Sequence, residues 1–378
     1  MRSAAEAGVR VVDSAAQVPA TAWDALVGPE DLFLSSRWLR VAEATAGVPM
    51  RYLLLARGGR PVAGLPAALA GTAAPWLSGR PDTLLERCAR EGMPGAAECR
   101  GALPVDLAGA LLPSLVCGGR HLGRTRVVGG PAAGAVNGDG TRAAGAAAEL
   151  VAAAERLART LGARSVAFLY VDDRDAALRG ALAARGYAGH VSGSYSWLPL
   201  APGGFSGWLA GLSAHRRRRV LADRRRLEAA GVQVRLEPLT AAAIPRLAEL
   251  EAELLTRYGL RWVPAQSERV LRRVLAELGG DALVSVASGG GGVRGFALVL
   301  RHGPAWFAHR AGFDYAWQGR LPLYFEVLYH HLIEQAPAAG VTAIHYGTGS
   351  AQAKRSRGCL AADQHAFLLR IPADGGGR

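Results

Sequence analysis

Apolar positions change period several times along the chain, and each change marks an element. Val9-Arg-Val-Val12 reads as a strand, and residues 23–26 and 36–46 have helical spacing, with Ser35 or Ser36 placed as an N-cap. Tyr52-Leu-Leu-Leu-Ala and Val62-Ala-Gly-Leu-Pro-Ala flank Arg57-Gly-Gly-Arg60, the mark of a hairpin. Residues 71–140 are rich in Gly and Pro, and their pattern assigns no element. A helix over 143–162 follows, then the apolar strand Ser165-Val-Ala-Phe-Leu-Tyr-Val171. A second helix over 175–185 stops at Gly186, and a strand over 195–200 closes this half.

The second half repeats the order. A helix over 244–258 precedes a strand over 282–287, a glycine turn at 289–292 and a strand over 293–300. A third strand over 305–312, a helix over 323–336, a strand over 342–346 and a closing strand over 364–371 complete it. Each half holds Val-x-Gly-(Leu/Phe) in a hairpin strand and an Arg-Gly pair (Arg185-Gly186, Arg357-Gly358) before its last strand. A repeat of about 180 residues is too long for a solenoid and implies two copies of one domain. The expected class is α/β (α+β), with each domain a mixed central sheet flanked by helices. The domains are read as 1–203 and 204–378, with the join between Leu200 and Ser213.

The composition narrows the function classes. Half of the 378 residues are apolar, yet no run of about 18 apolar residues is uninterrupted, so no membrane span is expected. The N-terminal stretch lacks an apolar signal core, and Cys88, Cys99, Cys117 and Cys359 share no metal-type spacing. A reduced, cytoplasmic protein without a metal is expected. The formal net charge of +13 suits a polyanionic partner such as nucleic acid, a nucleotide-linked substrate or coenzyme phosphates.

Chemistry concentrates in three stretches and one residue. Ser213-Ala-His-Arg-Arg-Arg-Arg-Val-Leu-Ala-Asp-Arg-Arg-Arg-Leu-Glu-Ala-Ala-Gly231 puts Val220 and Leu227 on one helix side and Arg216, Arg219 and Arg226 on another. That face grips phosphate or is merely solvated. His309-Arg310-Ala-Gly-Phe-Asp314-Tyr315 enters a turn before a helix; Asp314 is a site residue or a cap, and His309 a site residue or a satisfied core histidine. In the helix that follows, Tyr324 is mostly core by spacing and Glu326 is the odd polar group, orienting an amine or complementing the helix dipole. The pair His330-His331 lacks a third ligand and makes a poor metal site. Lys354, in Tyr346-Gly-Thr-Gly-Ser-Ala-Gln-Ala-Lys354-Arg-Ser-Arg357-Gly358, is the only lysine in the chain. A compact ammonium kept where arginine has replaced every other lysine is either functional or a chance survivor.

The order of elements and these motifs resemble the GNAT acyltransferase fold. Their duplication is similar to the tandem-GNAT Fem and Fem-like families, including BioF-like acyltransferases associated with peptidoglycan synthesis. The arginine segment is similar to their (Ser/His)-x-x-Arg-Arg-x-x-(Arg/Lys)-x-x-Arg-Arg-Leu-x-x-x-Gly pattern, and Lys354-x-x-x-Gly358 matches their Lys-x-x-(aromatic)-Gly segment. Arg357 departs from it by replacing the aromatic. The resemblance implies transfer of an acyl or aminoacyl group to the amine of a small molecule or peptide, with the second domain catalytic. It implies that Lys354 contacts a charged substrate or polarises the reacting centre. His309, Asp314, Tyr315 and Glu326 would then line the channel, with Arg310, Tyr324, Tyr346 and Arg357 around the substrates. Gln318-Gly-Arg-Leu-Pro-Leu-Tyr324 lacks the pyrophosphate-cradling spacing of ordinary GNAT domains, which with the charge favours aminoacyl-tRNA as donor. A coenzyme A or carrier-protein thioester is the alternative donor, and a non-catalytic binding protein on the same scaffold the alternative class. No tightly bound cofactor is expected.

Overall fold

The computed structural model describes residues 8–74, 77–118, 123–129 and 140–372. The strands are β1 Gly8–Val12, β2 Met50–Arg57, β3 Arg60–Ala70, β4 Ser114–Cys117, β5 Ser165–Asp172, β6 Ala188–Pro199, β7 Gln233–Pro238, β8 Ala282–Gly289, β9 Gly292–His302, β10 Ala305–Phe313, β11 Ala343–Gly347 and β12 Leu360–Arg370. The longer helices are α1 Ser36–Ala46, α2 Pro81–Arg90, α3 Gly140–Thr160, α4 Ala176–Ala184, α5 Gly204–Gly211, α6 Ala214–Ala229, α7 Ile244–Arg257 and α8 Pro264–Leu278. The last, α9, joins an α-turn at Leu323–Phe325, a π-turn at Glu326–His330 and an α-helical stretch at His331–Gln335.

The chain forms two compact units. One holds the described residues up to Tyr195 and again from Ala362; the other holds Ser196–Ala361. The chain therefore changes unit within β6, between Tyr195 and Ser196, earlier than the 203/204 boundary. The closing strand also belongs to the first unit, although its place in the sequence put it in 204–378. The reason lies in pairing: β12 runs antiparallel to β5, with Phe367 opposite Phe168 and Leu368 opposite Ala167. Sequence order shows which strand comes last, not which strand it pairs with.

In the first unit β1, β2, β3 and β4 pair antiparallel in sequence, and β4 pairs parallel with β5. Alternation along β5 divides its side chains between two cores. Val166 and Phe168 pack with Leu150, Val151 and Leu178 of α3 and α4, whereas Ala167 and Leu169 pack with Leu84, Leu85 and Cys88 of α2. Residues 71–140 contain more order than their Gly/Pro content suggested, namely α2, β4 and short helical turns at Ala96–Gly101 and Leu107–Leu111.

In the second unit residues 196–199 of β6 pair antiparallel with β11, β11 runs parallel to β10, and β10, β9, β8 and β7 continue antiparallel. Both units are thus mixed sheets flanked by helices. At Gly312 helix α7 lies directly on β10: a Cβ there would stand 2.4 Å from the Glu251 backbone nitrogen. β10 pairs with β11 only as far as Phe307 opposite His345, then bulges between Ala308 and Arg310. Three elements of this unit, α5, β7 and α8, had no counterpart in the sequence reading. No helix among the described residues is long and apolar enough to cross a membrane, and none of their His, Cys, Asp and Glu residues form a group that could hold a metal.

A candidate active-site cleft between the arginine helix and the lysine turn

Helix α6 forms where it was expected. The Ser213 side chain caps it by accepting a hydrogen bond from Arg216 N, and Val220 and Leu227 are buried on one side. Its other side is open, with His215, Arg216, Arg218 and Arg219 exposed. The short helix Ala351–Arg355 faces it, and the two are joined by a hydrogen bond from the Arg216 guanidinium to the Ser356 carbonyl.

Between them lies a cleft of about 440 Å³, of the size small ligands occupy. Arg216, Arg219 and Arg357 supply positive charge at its walls, Asp223 one opposing carboxylate, and Phe325 and His330 part of its lining. Two sequence motifs more than a hundred residues apart thus meet in one place. The Arg357 guanidinium stacks 3.7 Å from the centre of the Phe325 ring and donates to the Ala353 carbonyl at 2.7 Å. Arginine is planar and stacks as an aromatic does. That accounts physically for its place where the family pattern has an aromatic.

Lys354 is buried, and its ammonium donates to three successive backbone carbonyls, Tyr346, Gly347 and Thr348, at 2.8 Å each. An ammonium has three N–H donors, and all are engaged. This corrects the expectation that Lys354 steadies a developing oxyanion or an anionic substrate: no donor is left for either. A compact point charge is still what the position demands, because a planar fork cannot converge on three carbonyls of one turn. The lysine ties the end of β11 to the helix that walls the cleft, and so positions that wall.

The other sequence candidates separate. Asp314 Oδ1 accepts from Trp317 N at 3.0 Å, capping a helical turn, and Oδ2 accepts from Arg246 at 3.0 Å and Arg294 at 2.8 Å. The Trp317 amide, outweighing burial with help from the two arginines, holds this carboxyl below its ordinary range. These bonds make it a cap and ion-pair partner, outside the cleft. Exchanging Asp314 for Asn keeps an oxygen for the cap and loses the ion pairs. We expect about 1 kcal/mol of destabilisation and turnover within about twofold, read by thermal melting and steady-state rates; a hundredfold loss of turnover in folded protein would restore Asp314 to the site.

Arg310 is engaged by Glu251 at 2.6 Å, and burial, then Arg310, pushes the His309 imidazole down to about 3, so it is neutral. Tyr315 lines a separate open depression of about 700 Å³ with Glu253 and Arg257. Arg226 donates to the Arg320 carbonyl and is not part of the cleft lining. Tyr324 belongs to an aromatic cluster with Phe313, Phe325 and Tyr329, and Tyr346 stacks on Tyr329 with ring centres 4.5 Å apart.

Glu326 is held at both oxygens by Arg224 (2.8 and 3.2 Å), which also binds Glu334. Glu326 Oε2 lies 3.0 Å from Nδ1 of His330. Burial raises this carboxyl, but hydrogen bonds from His330 and Arg224 outweigh it and hold the group below the carboxylate range. His330, a poor metal ligand by its sequence context, is thus a partner of Glu326. The signal was present as Glu-x-x-x-His, an i, i+4 spacing that puts both side chains on one helix face.

Residues 214–355 match the family model of the acetyltransferase (GNAT) domain. The match begins at the arginine helix and ends in the lysine turn. No curated protein matches the chain. Among solved structures, FemX superposes with a TM-score of 0.61 at 12% identity, covering 96% of this chain and 97% of that one. The C-terminal domain of a lysylphosphatidylglycerol synthetase from Agrobacterium fabrum gives 0.53 at 11% identity, over 95% and 93%. A tandem GNAT protein from the clavulanic acid biosynthesis pathway gives 0.51 at 14%, over 97% and 100%. These identities speak for the fold, and the fold spans both units. The chain therefore has the fold of FemX and of tandem GNAT proteins across both units, and its arginine helix and lysine turn lie in the stretch that matches the GNAT acetyltransferase domain.

Proposed function

We propose that this protein is an N-acyltransferase that forms an amide between an activated acyl group and an amine, in the cleft between α6 and the lysine turn. The observation that carries the reading is this arginine-walled cleft, most of whose lining lies in the span that matches the GNAT domain. Amide formation needs proximity of amine and carbonyl, a proton acceptor and charge stabilisation. Arg216, Arg219 and Arg357 suit a phosphate-bearing donor. Aminoacyl-tRNA is our first choice, supported by the net charge of +13 and by similarity to FemX and to a domain named for lysylphosphatidylglycerol synthesis. The acceptor is the amine of a small molecule or peptide, and the setting cytoplasmic, where charged tRNA is found. A thioester of coenzyme A or a carrier protein is the second reading, favoured by the matched model's description as an acetyltransferase.

Binding of purified protein to deacylated tRNA, mixed aminoacyl-tRNA and acetyl-coenzyme A at physiological salt separates the readings. We expect preference for the aminoacylated pool; saturable coenzyme A binding with no tRNA preference would select the thioester donor. The double exchange Arg216→Ala, Arg219→Ala should weaken donor binding about tenfold and flatten its salt dependence, with a slope smaller by about one to two charges. Unchanged affinity and slope would remove the cleft from donor binding. Absence of transfer from any donor to any amine would leave a binding protein.

A further inference from the structure

We propose that His330 is the general base of the transfer, held in its working tautomer by Glu326 and, through it, by Arg224; the proposal rests on the acyl-transfer reading above. Glu326 is ionised and can only accept, so Nδ1 of His330 carries the hydrogen that bridges the 3.0 Å contact. Nε2 is left with the lone pair. That nitrogen is buried without a hydrogen-bond partner, on a side chain only 2% exposed that lines the cleft. A buried imidazole nitrogen without a partner is costly as architecture. It is what a base requires when its partner is the substrate.

The surroundings fit the task. The dyad sits on the π-turn of α9, a local widening of the helix that often marks functional sites. The charged groups near the ring come from three elements. Glu326 lies on its own helix, Arg224, Arg219 and Asp223 on α6, and Arg357 follows the lysine turn. Helix α5 presents Phe205 and Trp208, with ring centres 6.5 and 5.7 Å from the imidazole and no charge. One arginine is engaged by Glu326 and two line the anion-attracting walls, so the carboxylate, not a neighbouring cation, is what bonds to the ring.

The step balances simply. The acceptor amine nitrogen attacks the carbonyl carbon of the ester or thioester, and its proton passes to Nε2. The C–N bond forms, the bond to the leaving oxygen or sulfur breaks, and the imidazolium returns the proton to that leaving atom. The histidine ends as it began, and no oxidant or further reactant is needed. The fixed carboxylate holds the ring's tautomer and orientation through both transfers.

The test compares wild type, His330→Gln and Glu326→Gln in whichever donor system the wild type uses, with thermal melting as a fold control. His330→Gln should lower kcat by about 10²–10⁴-fold, with KM for the donor changed less than threefold, and abolish the acid limb of the kcat/KM profile. Glu326→Gln, whose amide can offer Nδ1 an N–H and so favour the other tautomer, should lower kcat at least about tenfold with KM for the donor changed less than threefold. If wild type turns over and His330→Gln keeps its rate and its pH profile, the base assignment is overturned and the transferase reading survives. If His330→Gln fails to fold, a kcat in folded Glu326→Gln within twofold of wild type overturns it instead. If wild type transfers no acyl group at all, the transferase reading itself fails, and the base assignment with it.

Discussion

Exchanging Lys354 for methionine should lower stability by about 3 kcal/mol and the melting midpoint by about 6–12 °C. Methionine keeps most of the apolar stem and removes only the ammonium, so the loss reports the three bonds to Tyr346, Gly347 and Thr348. Charge-assisted bonds contribute about 1.5–3 kcal/mol each in favourable cases. The sum is reduced here because Gly347 and Thr348 are only half-buried, and water can replace the lysine at their carbonyls. Lys354→Arg should lose nearly as much, since the fork cannot reach three convergent acceptors.

The pH dependence has a definite sign. Burial brings the lysine down from its ordinary 10.5 to about 8. Between those values the native state has released a proton that the unfolded chain still holds. Wild-type stability from this group therefore rises with pH across that window, and the deficit of Lys354→Met widens. Measured well below its melting range, the variant should show a raised KM for the donor, since the wall carrying Gln352 and Arg357 loses its tie to β11. A melting midpoint within 2 °C of wild type would show that the three bonds hold nothing; full stability with turnover abolished would return the lysine to chemistry.

Lys354 shows where sequence reading succeeds and where it stops. Its singularity among arginines marked a job for a compact charge, and three convergent carbonyls are such a job. Which acceptors it meets depends on how the chain turns after β11, through Gly347 and Gly349, both at positive φ, and a one-letter pattern does not encode that path. Helix α6 was legible throughout, because its cap, its two buried apolar positions and its closing Gly231 are local signals. The contact of α6 with the lysine turn was not, since a fold brings them together across more than a hundred residues. The π-turn hid the dyad differently: Glu326 and His330 were each visible, but regular helical spacing sorted them into a dipole partner and a poor metal ligand. The closing strand was recognised as a strand and assigned to the wrong unit, because its partner β5 is chosen by long-range pairing.

Removal of Arg224 should be among the most damaging changes in the second unit. Arg224 holds both oxygens of Glu326 and both of Glu334, and its guanidinium lies 4.1 Å from the centre of the Phe205 ring. Glu326 is 8% exposed at its side chain and Arg224 25%, so the pair is largely but not wholly withdrawn from water. Breaking a buried pair costs about 3–5 kcal/mol because one charge is left without its partner; the exposed quarter of the arginine puts Arg224→Met at the lower end, about 3. Most of that cost is the stranded carboxylate, so adding Glu326→Gln should return about 1–2 kcal/mol, a coupling that a double-mutant cycle measures directly.

The same physics fixes the response to acid. In wild type the carboxyl of Glu326 sits below its ordinary 4.5, so its contribution is present above that value and is lost as pH falls through the lower native value. Without Arg224 burial prevails over the single bond to His330, and the carboxyl rises above 4.5. The native variant then takes up a proton before the unfolded chain does, and acidification from pH 7 towards 5 relieves it. The stability gap between wild type and Arg224→Met should therefore narrow by pH 5. A gap constant between pH 7 and 5, with additive single and double mutants, would mean that Arg224 acts through its stacking on Phe205 and not through the charge it holds in place.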